Sequence, residues 1–342
     1  MLIAPEELTV VVVDWNLPEL TVRCVRSLVE DGVPAHRIVV VENGPTDANW
    51  TRIASELADC VLVRVDANVG FAVANNIGAR TLPGRAYLLV NNDAFVHRAG
   101  SVAVLEHWLT RRSGVGIVVP RLLNEDLTLQ SSVAPFTVPM VALARASGLS
   151  RLVPNRWQPR VSTHWDHASS RAVEAAIGAV MLVAGEVWDD LDGFVESGFM
   201  YAEDLDLCWR AGKQGWKTWF AADAEFVHLG GTSADRRWTT AERSERVGLA
   251  EAEMIRGHLG PLRAAAALAF IRVGLAARVV YFRATQNQDA AESCRGFLLG
   301  MKKEFDGSAT SELAPAPAIR VVRPSAESTD AQVSQAPRDM NA

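Results

Sequence analysis

The sequence predicts an α/β fold in which a mostly parallel central sheet is flanked by helices. The first 120 residues alternate short runs rich in β-branched residues with longer stretches at helical spacing. The short runs are apolar throughout, as expected of strands buried on both faces of a parallel sheet. Hydrophobic residues make up 49% of the 342 residues, which is enough for the core of one large domain or two smaller ones.

The order of elements follows from these patterns. A helix over residues 18–31 follows the first of five predicted strands, which cover residues 8–15, 37–43, 60–66, 86–92 and 115–120. Residues 121–172 carry several prolines and are interpreted as long loops over the sheet. We predict a main domain over 1–240, a helical extension over 241–305, and a tail over 306–342 whose composition is typical of disorder.

Bulk properties exclude several classes of protein. The formal net charge of −6 argues against nucleic acid as a partner, because phosphate-backbone binders carry a clustered basic surface. The four cysteines lie far apart with no CxxC pair, which favours reduced thiols. The N-terminus lacks a basic segment before its apolar run, and no stretch reaches about 20 uninterrupted apolar residues. We therefore expect a cytoplasmic protein.

Polar side chains stand at the carboxyl ends of four predicted strands. Ligands of parallel sheets collect at these ends, so one shared site is expected there. The residues are Asp14 and Asn16, Glu42 and Asn43, Asp66 and Asn68, and Asn91 to Asp93. Asp93 can furnish one carboxylate to a divalent cation that takes further oxygens from phosphates, although a turn capped by asparagines explains the stretch "NND" equally well. Gly70 lies near a helix start, a weak indication of phosphate binding.

The most informative segment is "GFMYAEDLDLCWRAGKQGW", at residues 198–216. Asp206 and Arg210 are at the spacing of an ordinary ion pair on a helix. The adjacent acids Glu203 and Asp204 lie among apolar residues, where burial and a neighbouring acid would raise a carboxyl pKa and suit a general base. His228 ends a further apolar run and is followed by glycines, which makes it a candidate ligand of metal or phosphate.

In this order, the motifs resemble those of family 2 glycosyltransferases with the GT-A fold, in particular bacterial rhamnosyltransferase-like members. The resemblance covers about residues 8–235. It rests on "VVVDWN", "VENGPTD", "NVGFAVANNIG", "LLVNNDAFV", "GAVMLV", "GFMYAEDLDLCWR" with a following "GW", and "HLGGTS". The implied reaction is an inverting transfer of a sugar from a nucleoside diphosphate donor, such as dTDP-rhamnose or a UDP-sugar, to a hydroxyl of a glycan or lipid-linked acceptor in cell-surface polysaccharide synthesis.

The resemblance also assigns roles to residues. Asp204 would deprotonate the acceptor hydroxyl, assisted by Glu203. Asp93 and His228 would hold Mg²⁺ or Mn²⁺ against the diphosphate. The sugar donor would be bound by Asp14, Glu42, Asn43, Asn68, Gly70, Asn76 and Asn92. This chain departs from the family in two places: Glu42 stands where many members have aspartate, and "NND" lacks the first acid of a DxD motif.

Two other functions are compatible with the sequence. A non-catalytic relative that binds nucleotide-sugars or glycans would keep the fold, although the intact acid pair and His228 count against it. A nucleotidyltransferase is a more distant alternative, because the basic glycine-rich loop expected after its first strand is missing.

Residues 260–285 form an apolar segment punctuated by arginines. Such a segment can lie on an anionic bilayer or pack on the main domain. If the segment lies on a bilayer, we expect peripheral contact of the protein with the inner face of the plasma membrane.

Overall fold

The computed structural model describes residues 3–160, 165–196, 202–230, 239–303 and 318–324. The strands are β1 (Leu8–Asp14), β2 (Ile38–Asn43), β3 (Val61–Val65), β4 (Ala86–Asn91), β5 (Ala94–Val96), β6 (Val115–Leu123), β7 (Leu129–Gln130), β8 (Val133–Ala134), β9 (Arg171–Val173), β10 (Ala175–Ala176), β11 (Val180–Ala184), β12 (Lys217–His228) and β13 (Ile319–Val322). The helices are α1 (Pro18–Glu30), α2 (Asp47–Glu56), α3 (Phe71–Thr81), α4 (Ser101–Arg111), α5 (Pro139–Ala146), α6 (Gly185–Asp190), α7 (Glu203–Lys213), α8 (Thr240–His258), α9 (Pro261–Ala284) and α10 (Gln288–Gly300).

The five predicted strands are confirmed as β1, β2, β3, β4 and β6. Successive side chains of each strand enter two different core layers, because strand side chains alternate between faces. In β1, Val10 and Val12 pack in one layer and Val11 packs in the other, and all three are fully buried. Runs of valine and isoleucine without alternation are therefore explained by burial on both faces of the sheet.

The central sheet has the strand order β13-β3-β2-β1-β4-β11-β6-β12-β5. β1 pairs in parallel with β2 and with β4, so that the carboxyl ends of these strands meet at one edge. β11 runs antiparallel between β4 and β6, and therefore starts at the edge where β4 ends. We call this edge of the sheet the rim.

The segment 121–172, interpreted from sequence as long loops, contains more regular structure than expected. Within it the chain forms β7, β8, α5 and β9, together with short turns of 3-10 helix at Leu149–Leu152 and Asn155–Arg160. Its prolines do not prevent α5, because Pro139 occupies the first helical turn, where a missing N–H costs nothing.

The C-terminal helices pack tightly against one another through glycine. A Cβ on Gly296 would collide with the carbonyl of Ala241, and a Cβ on Gly300 would collide with the carbonyl of Glu245. These pairs show that α8 and α10 run in the same direction with their backbones in contact. α9 connects α8 to α10 along the chain and packs on α10 and on α5, where Gly274 faces Ala146. The extension is thus attached to the main domain.

The predicted disorder of residues 306–342 is wrong for a short stretch. Ile319–Val322 forms β13, which pairs antiparallel with β3 in a register that places Ile319 opposite Val65. β3 would otherwise be an edge strand with unpaired backbone groups, and the β-branched run in "IRVV" supplies a partner for it. Residues 304–317 and 325–342 lie outside the described residues.

Candidate active site

The rim gathers the polar strand ends that the sequence singled out. In the parallel ladders Asp14 lies opposite Glu42, and Val13 lies opposite Asn91. The ends of β1, β2 and β4 therefore stand side by side. The sequence-based expectation of one shared edge is met by this register.

Asp14 is the centre of a buried hydrogen-bond network. Its carboxylate accepts from the Thr21 hydroxyl at 2.5 Å, from Asn92 Nδ2 at 2.7 Å and from the Leu17 amide at 3.2 Å. Asn92 also donates to Thr21 at 3.1 Å. Asp14 is fully buried, and this burial raises its pKa even though the hydrogen bonds act in the opposite direction. The network fixes the start of α1 and the tip of β4 to the end of β1.

Glu42 completes this buried cluster as a protonated acid. Its burial and the neighbouring charge of Asp14 raise its pKa to about 9. No amide or hydroxyl group among the described residues donates to either of its oxygens. Burial and the charge of Asp14 favour the neutral form of Glu42, as expected of two neighbouring carboxyl groups that cannot both be charged out of water.

Asn43 and Asn68 organise the loop before α3. Asn43 accepts from the Val69 amide at 2.9 Å and donates to Asn68 Oδ1 at 3.1 Å. Asn68 Oδ1 also accepts from the Gly70 amide at 3.0 Å. Gly70 has a φ of +88°, a conformation that favours glycine, and it precedes the first turn of α3. The loop therefore presents backbone and the half-buried Asn68 amide at the rim.

Asn76 does not join the other predicted residues that bind the sugar donor. Its amide donates to the Phe194 carbonyl at 2.8 Å and to Glu196 at 2.9 Å, and it accepts from the Phe194 amide at 3.0 Å. Both ends of the buried side chain are thus occupied by the segment that follows α6. In the structure Asn76 ties α3 to that segment.

Asp93 and His228 form the second part of the site. Pairing of β5 with β12 places His228 opposite Ala94, and the Leu229 amide donates to the Asp93 carbonyl at 3.1 Å. His228 Nε2 lies 3.3 Å from Asp93 Oδ1, and both side chains are buried. Residues 231–233, the second half of "HLGGTS", lie outside the described residues.

Gln130 sets which nitrogen of His228 carries a proton. The Gln130 amide donates to the His228 carbonyl at 3.0 Å and to Asn124 Oδ1 at 3.0 Å, so its oxygen faces His228 Nδ1 at 2.8 Å as an acceptor. Nδ1 must therefore donate. A ring protonated at Nδ1 alone leaves the lone pair of Nε2 facing Asp93 Oδ1 and the Asn91 amide nitrogen, which lies 3.4 Å away. The two acceptors, Nε2 and Oδ1, suit a cation between them.

The donor set at Asp93 and His228 fits a divalent cation with two protein ligands. Within the described ranges, no cluster of three or more His, Cys, Asp or Glu side chains could hold a metal. A carboxylate oxygen and an imidazole nitrogen leave most coordination positions open, and phosphate oxygens are suited to fill them. The imidazole nitrogen favours Mn²⁺ over Mg²⁺, which prefers oxygen ligands.

Asp204 lies in the first turn of α7, as the sequence predicted. Its Oδ2 accepts from the Gly178 amide at 2.6 Å and its Oδ1 from the Leu205 amide at 2.7 Å. Burial raises its pKa, while these backbone hydrogen bonds oppose the shift. Glu203 is half-buried beside it. Asp204 is thus a fixed carboxylate with the raised proton affinity that a general base requires.

Asp93 and Asp204 belong to the same rim. The Asn91 amide at the end of β4 donates to the Ala179 carbonyl at 2.8 Å, and the neighbouring Gly178 amide binds Asp204. Gly178 and Ala179, just before β11, therefore contact both the end of β4, which precedes Asp93, and Asp204 in the first turn of α7.

Asp204 also opens onto a cavity of about 260 Å³ between the main domain and α8. Its walls include Phe136, Ile177, Trp209 and Met254. The Asp206–Arg210 ion pair, predicted as surface stabilisation, lies beside this cavity with an Nε–Oδ2 distance of 2.6 Å. Asp206 also binds His258 at 2.8 Å, so the pair attaches α8 to α7.

Sequence reasoning missed several residues of the site. Thr21, Gln130 and Arg145 belong to no motif. Thr21 and Gln130 reach the rim through contacts with distant residues, Asn92 and His228, and Arg145 lines the cavity from α5. Gly178 was available as the first residue of "GAVMLV". A Cβ at this position would lie 3.0 Å from Asp204 Cβ, so any larger residue here would crowd the acid.

Comparison with known proteins gives one family match. The model of Glycosyltransferase like family 2 matches residues 5–258. A mannosyltransferase from Pyrobaculum calidifontis, solved with GDP-Man and Mn²⁺, superposes with a TM-score of 0.56 over 86% of this chain and 85% of its own, at 17% identity. That similarity shows the fold alone, and it confirms the predicted GT-A fold.

Two relatives have assigned activities. An N-acetylglucosaminyl-diphospho-decaprenol L-rhamnosyltransferase of Mycobacterium tuberculosis is 27% identical over 205 residues, which span 56% of this chain and 66% of the relative. The match therefore falls just short of two thirds of the length of that relative. A hexosyltransferase of low-salt glycan biosynthesis from Haloferax volcanii is 25% identical over 152 residues, or 43% of this chain and 44% of the relative.

Proposed function

Because this chain belongs to Glycosyltransferase like family 2, we propose that it transfers a sugar from a nucleoside diphosphate sugar to a hydroxyl group, with inversion at the anomeric carbon. The observation that carries the proposal is the placement of Asp204 and the Asp93–His228 pair on one rim, connected through Gly178 and Ala179. An inverting displacement needs a base on one side of the anomeric carbon and a stabilised leaving group on the other.

Asp204 acts as the base. It takes the proton of the acceptor hydroxyl while the hydroxyl oxygen attacks the anomeric carbon and the bond from that carbon to the diphosphate breaks. Its raised pKa improves proton uptake near neutral pH, and the amides of Gly178 and Leu205 hold the carboxylate in place. Glu203, next in the chain, contributes to the local negative charge.

Asp93 and His228 would hold the cation on the side of the sugar donor. The chemistry supplied there by Mn²⁺ or Mg²⁺ is neutralisation of the charge that develops on the leaving diphosphate. The facing Asp93 carboxylate and His228 lone pair support this assignment. Gln130 keeps the ring in the required tautomer.

The nucleoside lies against the loop before α3. Asn68 and Gly70 contact it, since this loop reaches the rim and the Asn68 amide nitrogen makes no hydrogen bond with a described residue. The other predicted residues shape the strand ends beneath the nucleotide and do not contact it. Asp14, Asn43 and Asn92 do so through buried hydrogen bonds, and Glu42 does so as a buried carboxyl group opposite Asp14. UDP- and dTDP-sugars, including dTDP-rhamnose, are the first donors to test.

The acceptor is a lipid-linked sugar or glycan at the inner face of the plasma membrane. The mycobacterial relative is named for a lipid-linked acceptor. Within the described ranges, α9 has the length and apolar character to cross a membrane, and only 22% of its most apolar segment is buried. Leu262, Val273 and Tyr281 are exposed on it. We assign α9 a peripheral contact with the bilayer, which brings the rim to the acceptor.

A panel of sugar donors tests the proposed function. UDP-, dTDP- and GDP-sugars are added with Mn²⁺, and the melting temperature is recorded, because a ligand that binds only the folded form raises it. The stabilising donors are then incubated with lipid-linked and free glycans, and products are identified by mass spectrometry. One donor class should both stabilise the protein and give product. Stabilisation without product from any acceptor would instead identify a binding protein.

A further inference from the structure

The C-terminal strand β13 is joined to the main domain chiefly through its backbone. All four of its side chains are exposed. Its pairing with β3 places Ile319 opposite Val65 and Val321 opposite Val63. A strand that buries little apolar surface adds little to the free energy of unfolding of the whole domain. The contribution of β13 is therefore local to the residues that it contacts.

One of these contacts lies at the rim. The Asp66 amide, the first after β3, donates to the Ala318 carbonyl at 3.2 Å. On the other side of β3, the Gly44 amide donates to the Val65 carbonyl at 2.8 Å. The carboxyl end of β3 is thus held between the end of β2 and the start of β13.

The loop that follows this end is the one proposed to contact the nucleoside. Asp66 is followed closely by Asn68 and Gly70. On its inner side the loop packs on the end of β2, where a Cβ on Gly44 would lie 2.6 Å from the Asn68 nitrogen. On its outer side it is held by the Ala318 carbonyl. A loop entry that is fixed on both sides leaves fewer conformations to be lost when a ligand binds.

The segment around β13 also contacts the far end of α3. Arg323, which follows the strand, donates from Nη2 to the Thr81 carbonyl at 3.3 Å. Thr81 is the last residue of α3, and carbonyls at a helix C-terminus lack a partner within the helix. Residues 318–323 therefore hold the unit of β3, loop and α3 both before its loop and after its helix.

We propose that β13 and its flanking residues are a positioning segment for the nucleoside end of the sugar donor. Pairing with β3 fixes the entry of the loop, so that Asn68 and Gly70 are held where the nucleoside binds. The segment contributes no atom to the reaction, and it acts on affinity for the sugar donor and not on the chemical step at Asp204. The proposal rests on the donor site proposed above and adds to it a segment from the C-terminal part of the chain.

Proline substitutions in the intact chain separate the pairing of β13 from its other properties. Asp66 and Ala318 form a hydrogen-bonded pair of the antiparallel ladder, and such pairs alternate with pairs that share no hydrogen bond. Arg320 is therefore the next residue of β13 whose N–H donates to β3, whereas the Val321 N–H points away from β3. Arg320→Pro breaks the pairing. Val321→Pro is the matched control, since proline is accepted on the open side of an edge strand.

A second control, Arg320→Ala, removes the side chain and keeps the N–H. The affinities for UDP, dTDP and GDP with Mn²⁺ are measured by calorimetry, and hydrogen exchange is measured at the amides of residues 66–70. In Arg320→Pro, the nucleotide that the parent binds should bind about fivefold more weakly or worse, because the loop must first be ordered, and the loop amides should exchange faster. Both controls should bind within about twofold of the parent.

Transfer kinetics distinguish positioning from general destabilisation. In Arg320→Pro the KM for the sugar donor should rise while kcat stays at the value of the parent, whereas a loss of folded protein would lower kcat. Nucleotide affinity equal to that of the parent in Arg320→Pro would overturn the proposal and leave the proposed function standing. Equal losses in Arg320→Pro and Val321→Pro would also overturn it, because the pairing would then not be the cause. A parent protein that binds none of the three nucleotides would contradict the proposed function, and this proposal with it.

Discussion

The Gly178 amide donates to Asp204 Oδ2 at 2.6 Å, and the next residue, Ala179, accepts from the Asn91 amide at 2.8 Å. This segment at the start of β11 thus fixes the position of the proposed base relative to the end of β4. It exists because β11 runs antiparallel to β4 and begins where β4 ends. The relative position of the proposed base and the proposed metal ligand therefore depends on backbone contacts of Gly178 and Ala179, which have no proposed role in the chemistry.

Gly178→Ala should slow transfer without loss of binding of the sugar donor. The new Cβ would lie 3.0 Å from Asp204 Cβ, so the acid must shift by a few tenths of an ångström, and we expect a loss smaller than the roughly 100-fold that a misplacement of about 1 Å can cost. Steady-state rates with saturating sugar donor measure the effect. Gly212→Ala in α7 is the control, since a Cβ there meets open space and alanine favours a helix. Equal rates in both variants would contradict this account of Gly178.

Gln130→Leu should weaken Mn²⁺ binding. The leucine removes the acceptor for His228 Nδ1, so that Nε2 is no longer held as a lone pair towards Asp93. Loss of such an outer partner typically costs about 10- to 100-fold in metal affinity. Electron paramagnetic resonance of free Mn²⁺ in the presence of nucleoside diphosphate gives the affinity.

Gln130→Glu serves as the matched variant, because its carboxylate can still accept from Nδ1. It should keep most of the affinity. If the leucine variant binds Mn²⁺ as tightly as the parent, then Gln130 does not position the imidazole for a metal.

Mn²⁺ should support activity at lower concentrations than Mg²⁺, and His228→Ala should reduce this difference. The nitrogen ligand is the cause, since Mg²⁺ gains less from it than Mn²⁺ does. Activity titrated with each metal in both proteins provides the measurement. An unchanged ratio in the variant would place the cation away from His228.

Glu42→Gln should make stability less dependent on pH between about 4.5 and 9. The folded-state pKa of Glu42 is raised to about 9, so folded protein binds more protons than unfolded protein in this range. Stability of the parent therefore falls as pH rises through the range, and the glutamine removes that contribution. Chemical denaturation at pH 5.5, 7 and 8.5 tests the difference between the two proteins.

Glu106→Gln is a useful comparison because burial raises the pKa of Glu106 to about 7. Its effect on the pH dependence should end near pH 7, whereas that of Glu42→Gln should continue to pH 8.5. Identical pH profiles for Glu42→Gln and the parent would mean that Glu42 is ionised in the folded protein.

Polar replacements on α9 should reduce association with anionic vesicles. Val273, Val280 and Tyr281 are 69%, 68% and 63% exposed, and asparagine or serine there removes apolar surface without touching the cavity. Flotation with vesicles of phosphatidylglycerol, compared with phosphatidylcholine, measures the loss. If the variant and the parent float to the same extent, α9 does not mediate membrane contact.

The strands and helices could be predicted where the hydrophobic pattern of neighbouring residues is sufficient to define them. Fully apolar runs such as Val10–Val13 indicated strands buried on both faces, and the register then brought Asp14 and Glu42 together as expected. β11 could not be placed by pattern, because its position between β4 and β6 is set by long-range pairing. β13 was missed because the surrounding composition is polar and its partner strand is more than 250 residues away in sequence.

Candidate site residues could be predicted from sequence where they belong to motifs. Residues that are placed by contacts between distant segments could not. Asp93, His228 and Asp204 lie where the motifs suggested. Asn76 was grouped with them because it lies in "NVGFAVANNIG", yet its side chain is occupied by Phe194 and Glu196. Arg145 belongs to no motif, and only the fold shows that it lines the cavity beside Asp204.

Asp204→Asn tests the central claim most directly. The variant keeps the shape of the side chain but cannot accept the proton of the acceptor hydroxyl, so transfer should fall by about 100- to 10,000-fold. Stabilisation by the sugar donor with Mn²⁺ should persist, and Asp190→Asn, a change at an exposed acid of α6, should leave the rate unchanged. A transfer rate equal to that of the parent in a folded Asp204→Asn protein would contradict the account.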